Sequence, residues 1–264
     1  MTSPFTCLGF PDHMDADTQE RLLADALRGE HLRVRGGEYV RWTPDAGVEL
    51  WLQLAGRDVL GFNPHFAGKA RMRVGLTQLV QRADETPLDG AFHAWANPPG
   101  DDPRAGEFPF IFDAPDAARF ADLALPVSTT VQIAAFAHDL TAFADDAAFQ
   151  ASQPADVRFA SESFFPVGLF PAEGETEPGD AAVAVLAGHV LEVRRLRNPW
   201  SGGEFLWAHV RTLGGEVDVV ADPSTVTGDV GVGAIVQGRF WLSGRIAAEP
   251  PGDGAPFWKR WLGG

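Results

Sequence analysis

Cysteine is nearly absent from this sequence, since Cys7 is the only one among 264 residues. A single cysteine excludes an internal disulfide bond and any zinc site built from several cysteines. No run of about 18 apolar residues occurs, so we expect no membrane-spanning segment. The first ten residues also lack the basic and apolar segments of a signal peptide. These absences predict a cytoplasmic protein without membrane contact.

Positive charge is scarce in the first two thirds of the chain. Residues 1–180 carry 28 acidic and 13 basic side chains, whereas residues 181–264 carry eight of each. The whole net charge of −15 therefore lies in the first part. Acidic surfaces repel phosphate backbones, so nucleic acid is not an expected partner. Only two lysines beside abundant Arg, Ala, Gly and Pro are typical of a high-GC bacterial gene.

Catalytic and cofactor motifs are also missing. The chain contains no phosphate-binding Gly-rich loop with its Lys, no Gly-x-Ser-x-Gly and no His-Glu-x-x-His. The segment Gly228–Gly233 is rich in glycine but precedes no helical pattern, so we interpret it as a connection between strands. We expect no cofactor.

The first part of the chain combines short helices with alternating strands. Asp17 and Glu20 have capping-box spacing and predict a helix over residues 20–27. Period-2 alternation predicts strands over 48–54, 72–80, 88–96 and 108–112. We further expect a helix over 117–123 capped by Asp113, a strand over 128–138 followed by a helix, and an extended segment over 157–170.

The acidic, Pro- and Gly-containing segment 171–180 predicts a linker. Four strand candidates follow, over 183–197, 204–213, 216–221 and 234–246. Their order and lengths resemble an OB-fold, in which a long first strand bends to serve two sheet edges. The sequence thus predicts a mostly β, α+β protein with two domains. These are an acidic α+β domain (1–175) with a largely antiparallel sheet and a small OB-like β-barrel (181–247), followed by a Trp-rich tail (248–264).

One candidate site combines a carboxylate with two imidazoles. Glu49, His65 and His93 lie on or beside predicted strands, and this residue combination binds Zn²⁺ or Fe²⁺ in many proteins. Glu49-Leu50-Trp51 is similar to the metal-bearing strands of vicinal-oxygen-chelate enzymes, although the first His of their repeat has no counterpart here. The resemblance implies a divalent metal at Glu49. The alternative is that these residues line a sheet face or a domain contact.

A second candidate site is a polar face with tryptophans in the last part of the chain. Alternation places the following residues on the polar faces of two strands: Trp207, His209, Arg211, Arg239, Trp241 and Arg245. Such a face could bind a protein partner, because Trp and Arg are favoured interface anchors. It could also pack against the acidic first part, or stack the bases of single-stranded nucleic acid.

Three functions follow from these features. The absence of catalytic motifs favours a non-catalytic binding or interaction protein. The alternatives are a metal-dependent hydrolase or oxygenase that uses Glu49, His65 and His93, and a protein that binds single-stranded nucleic acid through the OB-like face.

Overall fold

The computed structural model describes residues 3–100, 102–154, 158–170 and 179–247. Most of the predicted linker (171–178) and the predicted tail (248–264) lie outside the described residues. Within them the chain is mostly β, with one antiparallel four-stranded sheet and one larger mixed sheet. No described helix is long and apolar enough to cross a membrane.

The first sheet contains β1 (Glu30–Val34), β2 (Gly37–Asp45), β3 (Val48–Ala55) and β4 (Asp58–Phe66). The second contains β5 (Met72–Val80), β6 (Ala91–Ala96), β7 (Pro109–Asp113), β8 (Val127–Phe143), β9 (Ser163–Phe165), β10 (Val183–Arg197), β11 (Glu204–Thr212), β12 (Gly215–Ala221), β13 (Val226–Thr227) and β14 (Ile235–Ile246). The helices are α1 (Ala16–Ala26) and α2 (Asp146–Ser152). Short 3-10 turns cover Thr6–Leu8, Ala117–Phe120, Val167–Leu169 and Pro223–Thr225.

The predicted helices needed correction. Helix α1 begins four residues before the predicted start, because the side chain of Asp15, and not that of Asp17, accepts a hydrogen bond from the Thr18 amide at 2.8 Å. The segment after Pro115 forms only a 3-10 turn. Asp113 belongs to β7 and does not cap a helix.

The Ala-rich residues after His138 continue strand β8 to Phe143, where a helix was predicted. Both faces of β8 are buried in its middle, with Ala135 and Ala137 in one apolar core and Ala134 and Phe136 in another. Small side chains allow the strand to pack between two layers there, and pairing with β14 then continues the strand through residues 139–143. Helix α2 follows only at Asp146.

The large sheet is organised around a ribbon of β8 and β14, which pair antiparallel from Val131–Ile246 to Phe143–Ile235. The other edge of β8 pairs with β5 near one end and, in parallel, with β12 further along. The other edge of β14 pairs with β10 and, at Ser243, with β7. Strands β5, β6 and β7 pair with one another in that order, and so do β10, β11 and β12, all antiparallel. Each of these three-stranded units connects the outer edge of β8 to the outer edge of β14, so the pairings close two five-stranded rings that share the ribbon.

The ribbon of β8 and β14 joins the two predicted domains. Strand β8 belongs to the predicted first domain, yet it pairs with β12 and β14 of the predicted second domain. The pairings therefore do not confirm a division at 171–180, nor a barrel made of residues 181–247 alone. The four predicted strands of that segment are confirmed within one residue at each end.

Two apolar cores hold these layers together. The main core fills the rings, with Phe92, Val219 and Leu242 among its buried members. A second core lies between the first sheet, helix α1 and the outer face of the β10–β12 ring, where Phe66 of β4 packs against Phe205 of β11 with ring centroids 6.1 Å apart. Strand β3 is buried along almost its whole length, so its polar face also lies inside the molecule.

Candidate functional site

The polar face of β3 lies against the polar face of β14. Residues Glu49 and His65 are cross-strand partners in β3 and β4, and thus their side chains leave the sheet on the same side. Ser243 and Arg245 of β14 meet this side. We call the set that joins the two sheets here the buried polar layer: Glu49, His65, Gln132, Asp218, Ser243 and Arg245.

Glu49 is 1% exposed and accepts several hydrogen bonds. Its carboxylate accepts from Arg41 Nε at 3.0 Å, from Trp51 Nε1 at 2.9 Å and from Arg245 Nη1 at 3.2 Å. Burial tends to raise the pKa of Glu49, but the nearby His65, Arg245 and Arg41 outweigh it and hold the pKa below its ordinary value. Glu49 is therefore an ionised group whose lone pairs are already engaged by the protein.

His65 is fully buried and bonds through both ring nitrogens. Gln132 donates its amide nitrogen to Asp218 at 2.8 Å, so its oxygen must accept from His65 Nε2, also at 2.8 Å. His65 Nδ1 then accepts from the Ser243 hydroxyl at 2.9 Å. Burial lowers the pKa of His65 to about 4, and the imidazole is accordingly neutral near pH 7.

The structure brings together only two of the three predicted metal ligands. His93 lies on β6 in the other sheet, where its Nε2 is 2.9 Å from Asp180 Oδ1. Within the described ranges, no group of three or more His, Cys, Asp or Glu side chains has the geometry of a metal site. At Glu49 and His65 the physical reason is that hydrogen bonds within the protein already engage the atoms that would ligate a metal.

On β11, the predicted Trp/Arg face is occupied by internal contacts. Trp207 is 6% exposed and donates its indole N–H to Asp218 at 2.9 Å. His209 lies 2.8 Å from Glu216, and Arg211 Nε donates to Glu162 at 2.8 Å.

On β14, Trp241 donates its indole N–H to Asp113 at 2.6 Å, while Arg245 stacks on Trp51 at 4.8 Å and contacts Glu49. Arg239 is exposed and is separated from Trp241 by a register shift. The six residues therefore do not form one open face. Three of them, Trp207, Trp241 and Arg245, face the first sheet and the loops next to it.

A small cavity opens beside Trp241. Its volume is about 170 Å³, and we call it the carboxylate cavity after its walls: Asn63, Glu85, Asp89, Gly90, Asp113, Ala114, Pro115, Trp241 and Ser243. Three of these side chains are carboxylic acids and none is basic. Arg82 lies behind the wall and donates to Asp113 at 2.7 Å and also to Glu85.

The acids of the cavity are held rigidly. Asp89 accepts from Gln53 at 2.6 Å, from Asn63 at 2.8 Å and from the Thr86 amide at 3.0 Å. Burial raises the pKa of Asp113, although Arg82 and Trp241 oppose this effect. A cation that binds beside a desolvated carboxylate therefore stabilises its ionised form more than it would at a solvated carboxylate.

The sequence interpretation missed most of this cavity. Asp89 lies within the strand predicted over 88–96 and Asp113 was predicted to cap a helix, so neither pattern indicated a shared site. Ser243 lies within the strand predicted over 234–246, and the pattern of that strand indicates no partner for it. Their convergence depends on contacts between distant parts of the chain, such as Trp241 with Asp113 and His65 with Ser243.

Cys7 offers no thiol chemistry. Its side chain is buried, and burial raises the pKa of the thiol to about 12. The thiolate, which is the nucleophile and metal ligand, is therefore not formed near neutral pH.

No protein-family model, curated protein or solved structure matches this chain. The chemistry of the cavity walls is the basis on which a function can be argued.

Proposed function

We propose that the protein is a non-catalytic binding protein that holds a small, positively charged amine or guanidinium group in the carboxylate cavity. The observation that carries this proposal is the composition of the walls, where Glu85, Asp89 and Asp113 converge without a basic lining residue. Carboxylates accept hydrogen bonds from ammonium and guanidinium groups, and these charge-assisted bonds are the strong ones. The indole of Trp241 adds an aromatic wall of the kind that attracts cations.

The size of the cavity limits the ligand. A water molecule occupies about 30 Å³ of liquid volume, so a cavity of about 170 Å³ holds about five or six groups of that size. A methylguanidinium ion or the head group of a short amine fits this limit. A nucleotide or a sugar does not.

One observation favours a second candidate function. The Ser243 hydroxyl lines the cavity and donates to His65, which is the pairing used by serine nucleophiles and their bases. Three features support a positioning role for this pair. Ser243 is 1% exposed. His65, with a pKa of about 4, is a weak base near pH 7. The other ring nitrogen of His65 bonds to the side-chain amide of Gln132, which does not ionise. We therefore favour binding over hydrolysis.

We also propose an OB-like barrel, but one that includes a strand from outside residues 181–247. Strand β10 bends at His189, pairs with β14 on one side and with β11 on the other, and so serves two edges. Strand β8 supplies the fifth strand from upstream in the sequence. In this arrangement the ring is a support that presents Trp241 and Ser243 to the first sheet.

The test is a titration of the full chain with methylguanidinium and with N-methylurea, its neutral counterpart of nearly the same shape. We expect saturable binding of methylguanidinium that weakens with added salt and rises with pH as Asp113 ionises. Glu85→Gln should lower the affinity at least tenfold, because one charge-assisted hydrogen bond is worth about 1.5–3 kcal/mol. Glu107→Gln is the matched control, since Glu107 bonds to Asn97 away from the cavity and should leave the affinity unchanged.

Two results would overturn the proposal. One is the absence of saturable methylguanidinium binding at about 10 mM, a concentration that detects even weak sites. The other is equal binding of N-methylurea, which would remove the role of charge. Ser243→Ala separates the second candidate, because a binding site would keep its affinity whereas a serine enzyme would lose labelling by a fluorophosphonate probe.

A further inference from the structure

A second groove is lined by residues of strands β10 and β11 and of the segment from Pro223 to Val230. The basic run at Arg194 and Arg195 forms one wall, and the Gly-rich loop after β13 forms the other. The groove has a volume of about 310 Å³. It is distinct from the carboxylate cavity, because the two have no lining residue in common.

The floor of the groove is apolar. Val193, Leu206, Val226 and Val230 line it, and each of them belongs to the main core or packs against it. The groove is therefore the uncovered end of that core. Val232, on the same loop, is 71% exposed and adds an apolar side chain near the rim.

The two arginines have different environments. Arg194 pairs across the ladder with Trp207 on the outer face, where it stacks on the indole at 5.7 Å and bonds to Glu192 at 2.6 Å. Its charge is thus already balanced. Arg195 pairs with Leu206, so its side chain leaves β10 on the core face at the groove. In the described part of the chain, Arg195 has no ion pair and no side-chain hydrogen bond.

We propose that this groove binds a small amphipathic carboxylate, such as a medium-chain fatty acid, with its carboxylate on Arg195 and its alkyl chain on the apolar floor. A guanidinium forms paired hydrogen bonds with a carboxylate, and Arg195 has all of its donors available for this among the described residues. Asp229 on the opposite wall repels every negative charge of a ligand, so a phosphate dianion is repelled more strongly than a monocarboxylate and the monoanion is favoured.

Volume supports the same class of ligand. Octanoate has about ten heavy atoms, and a groove of about 310 Å³ has room for a ligand of this class. Grooves of this size that combine an apolar floor with a few charged side chains are typical of small-molecule sites.

The experiment is an NMR or calorimetric titration of the full chain with octanoate below its micelle concentration. Octanol and octyl phosphate serve as neutral and dianionic comparisons. We expect octanoate to bind at least tenfold more tightly than either comparison. Arg195→Met keeps the apolar length of the side chain and should weaken octanoate binding at least tenfold, whereas Arg239→Met, an exposed arginine elsewhere on β14, should have no effect.

The proposal fails if octanoate does not bind, if octanol or octyl phosphate binds as tightly, or if Arg195→Met binds octanoate as the unchanged protein does. Arg195 is exposed, so its variant should keep the melting temperature of the parent protein. Val230→Asp provides an independent arm, because a charge on the floor should abolish octanoate binding while methylguanidinium binding at the other cavity persists.

Discussion

Replacing His65 with Gln should remove much of the sensitivity of the fold to mild acid. Burial lowers the pKa of His65 from an ordinary 6.5 to about 4. As the pH falls below 6.5, the unfolded chain takes up a proton on this imidazole while the folded chain does not, and the folded state loses stability. The stability is fully present above pH 6.5 and is lost progressively as the pH falls toward 4. Between pH 7 and pH 5 the loss from this one group is about 2 kcal/mol.

Urea denaturation of the parent protein and of His65→Gln at pH 7 and pH 5 tests this reasoning. The variant is expected to be less stable at pH 7 by about 1–3 kcal/mol, because Ser243 and Gln132 lose a buried partner. The difference between the two proteins should then shrink by about 2 kcal/mol at pH 5. His13→Gln, at a side chain that is 97% exposed, controls for the removal of an imidazole. If the parent and His65→Gln lose the same stability between the two pH values, His65 is not a buried neutral group.

Three further substitutions test the packing between the sheets. Glu49→Gln removes the buried counter-charge that Glu49 offers to Arg41 and Arg245, and it should lower the free energy of unfolding in urea by about 3 kcal/mol. Its control is Glu38→Gln, on the partly exposed face of the same sheet, which should cost less than about 1 kcal/mol. Asp218→Asn turns an amide N–H toward donors and should cost about 2 kcal/mol, and no loss would contradict its role as a shared acceptor. Gly75→Ala places a Cβ 1.8 Å from a backbone oxygen of the facing loop and should lower stability by about 1–3 kcal/mol, while Gly231→Ala, with nothing within 4 Å, should not.

The strands could be predicted wherever one face is buried and the other is polar. Strand β5 over Met72–Val80 and strand β10 over Val183–Arg197 have the bounds that their alternation indicates. The strand over 128–138 was predicted, but the prediction failed at residues 139–143, where pairing with β14 continues the strand although the alanines that follow favour a helix locally. Neither ring could be predicted, since both depend on the pairing of β8 with β14 about a hundred residues away.

The candidate site was predictable only where its residues are close in sequence. The structure places Glu49 and His65 side by side on neighbouring strands of one hairpin, although the sequence predicted only the strand that carries Glu49. His93 was added on its residue type alone, and the fold places it in the other sheet beside Asp180. Ser243, the hydroxyl partner of His65, is 178 residues away and carries no local signal of that contact.

The unequal distribution of charge along the chain acquires a physical meaning in this fold. Basic side chains of the neutral last part bond to acids of the first part, as Arg211 does with Glu162 and Arg245 with Glu49 and Asp116. These ion pairs neutralise some of the excess acidic side chains. The carboxylate cavity still has three acids and one adjoining arginine, Arg82. Like charges held together by a rigid wall repel one another, and a bound cation would relieve that repulsion. A cation that fits should therefore raise the melting temperature of the protein as its concentration exceeds its Kd, and the same rise in Glu85→Gln should need at least about a tenfold higher concentration if the cavity is its site.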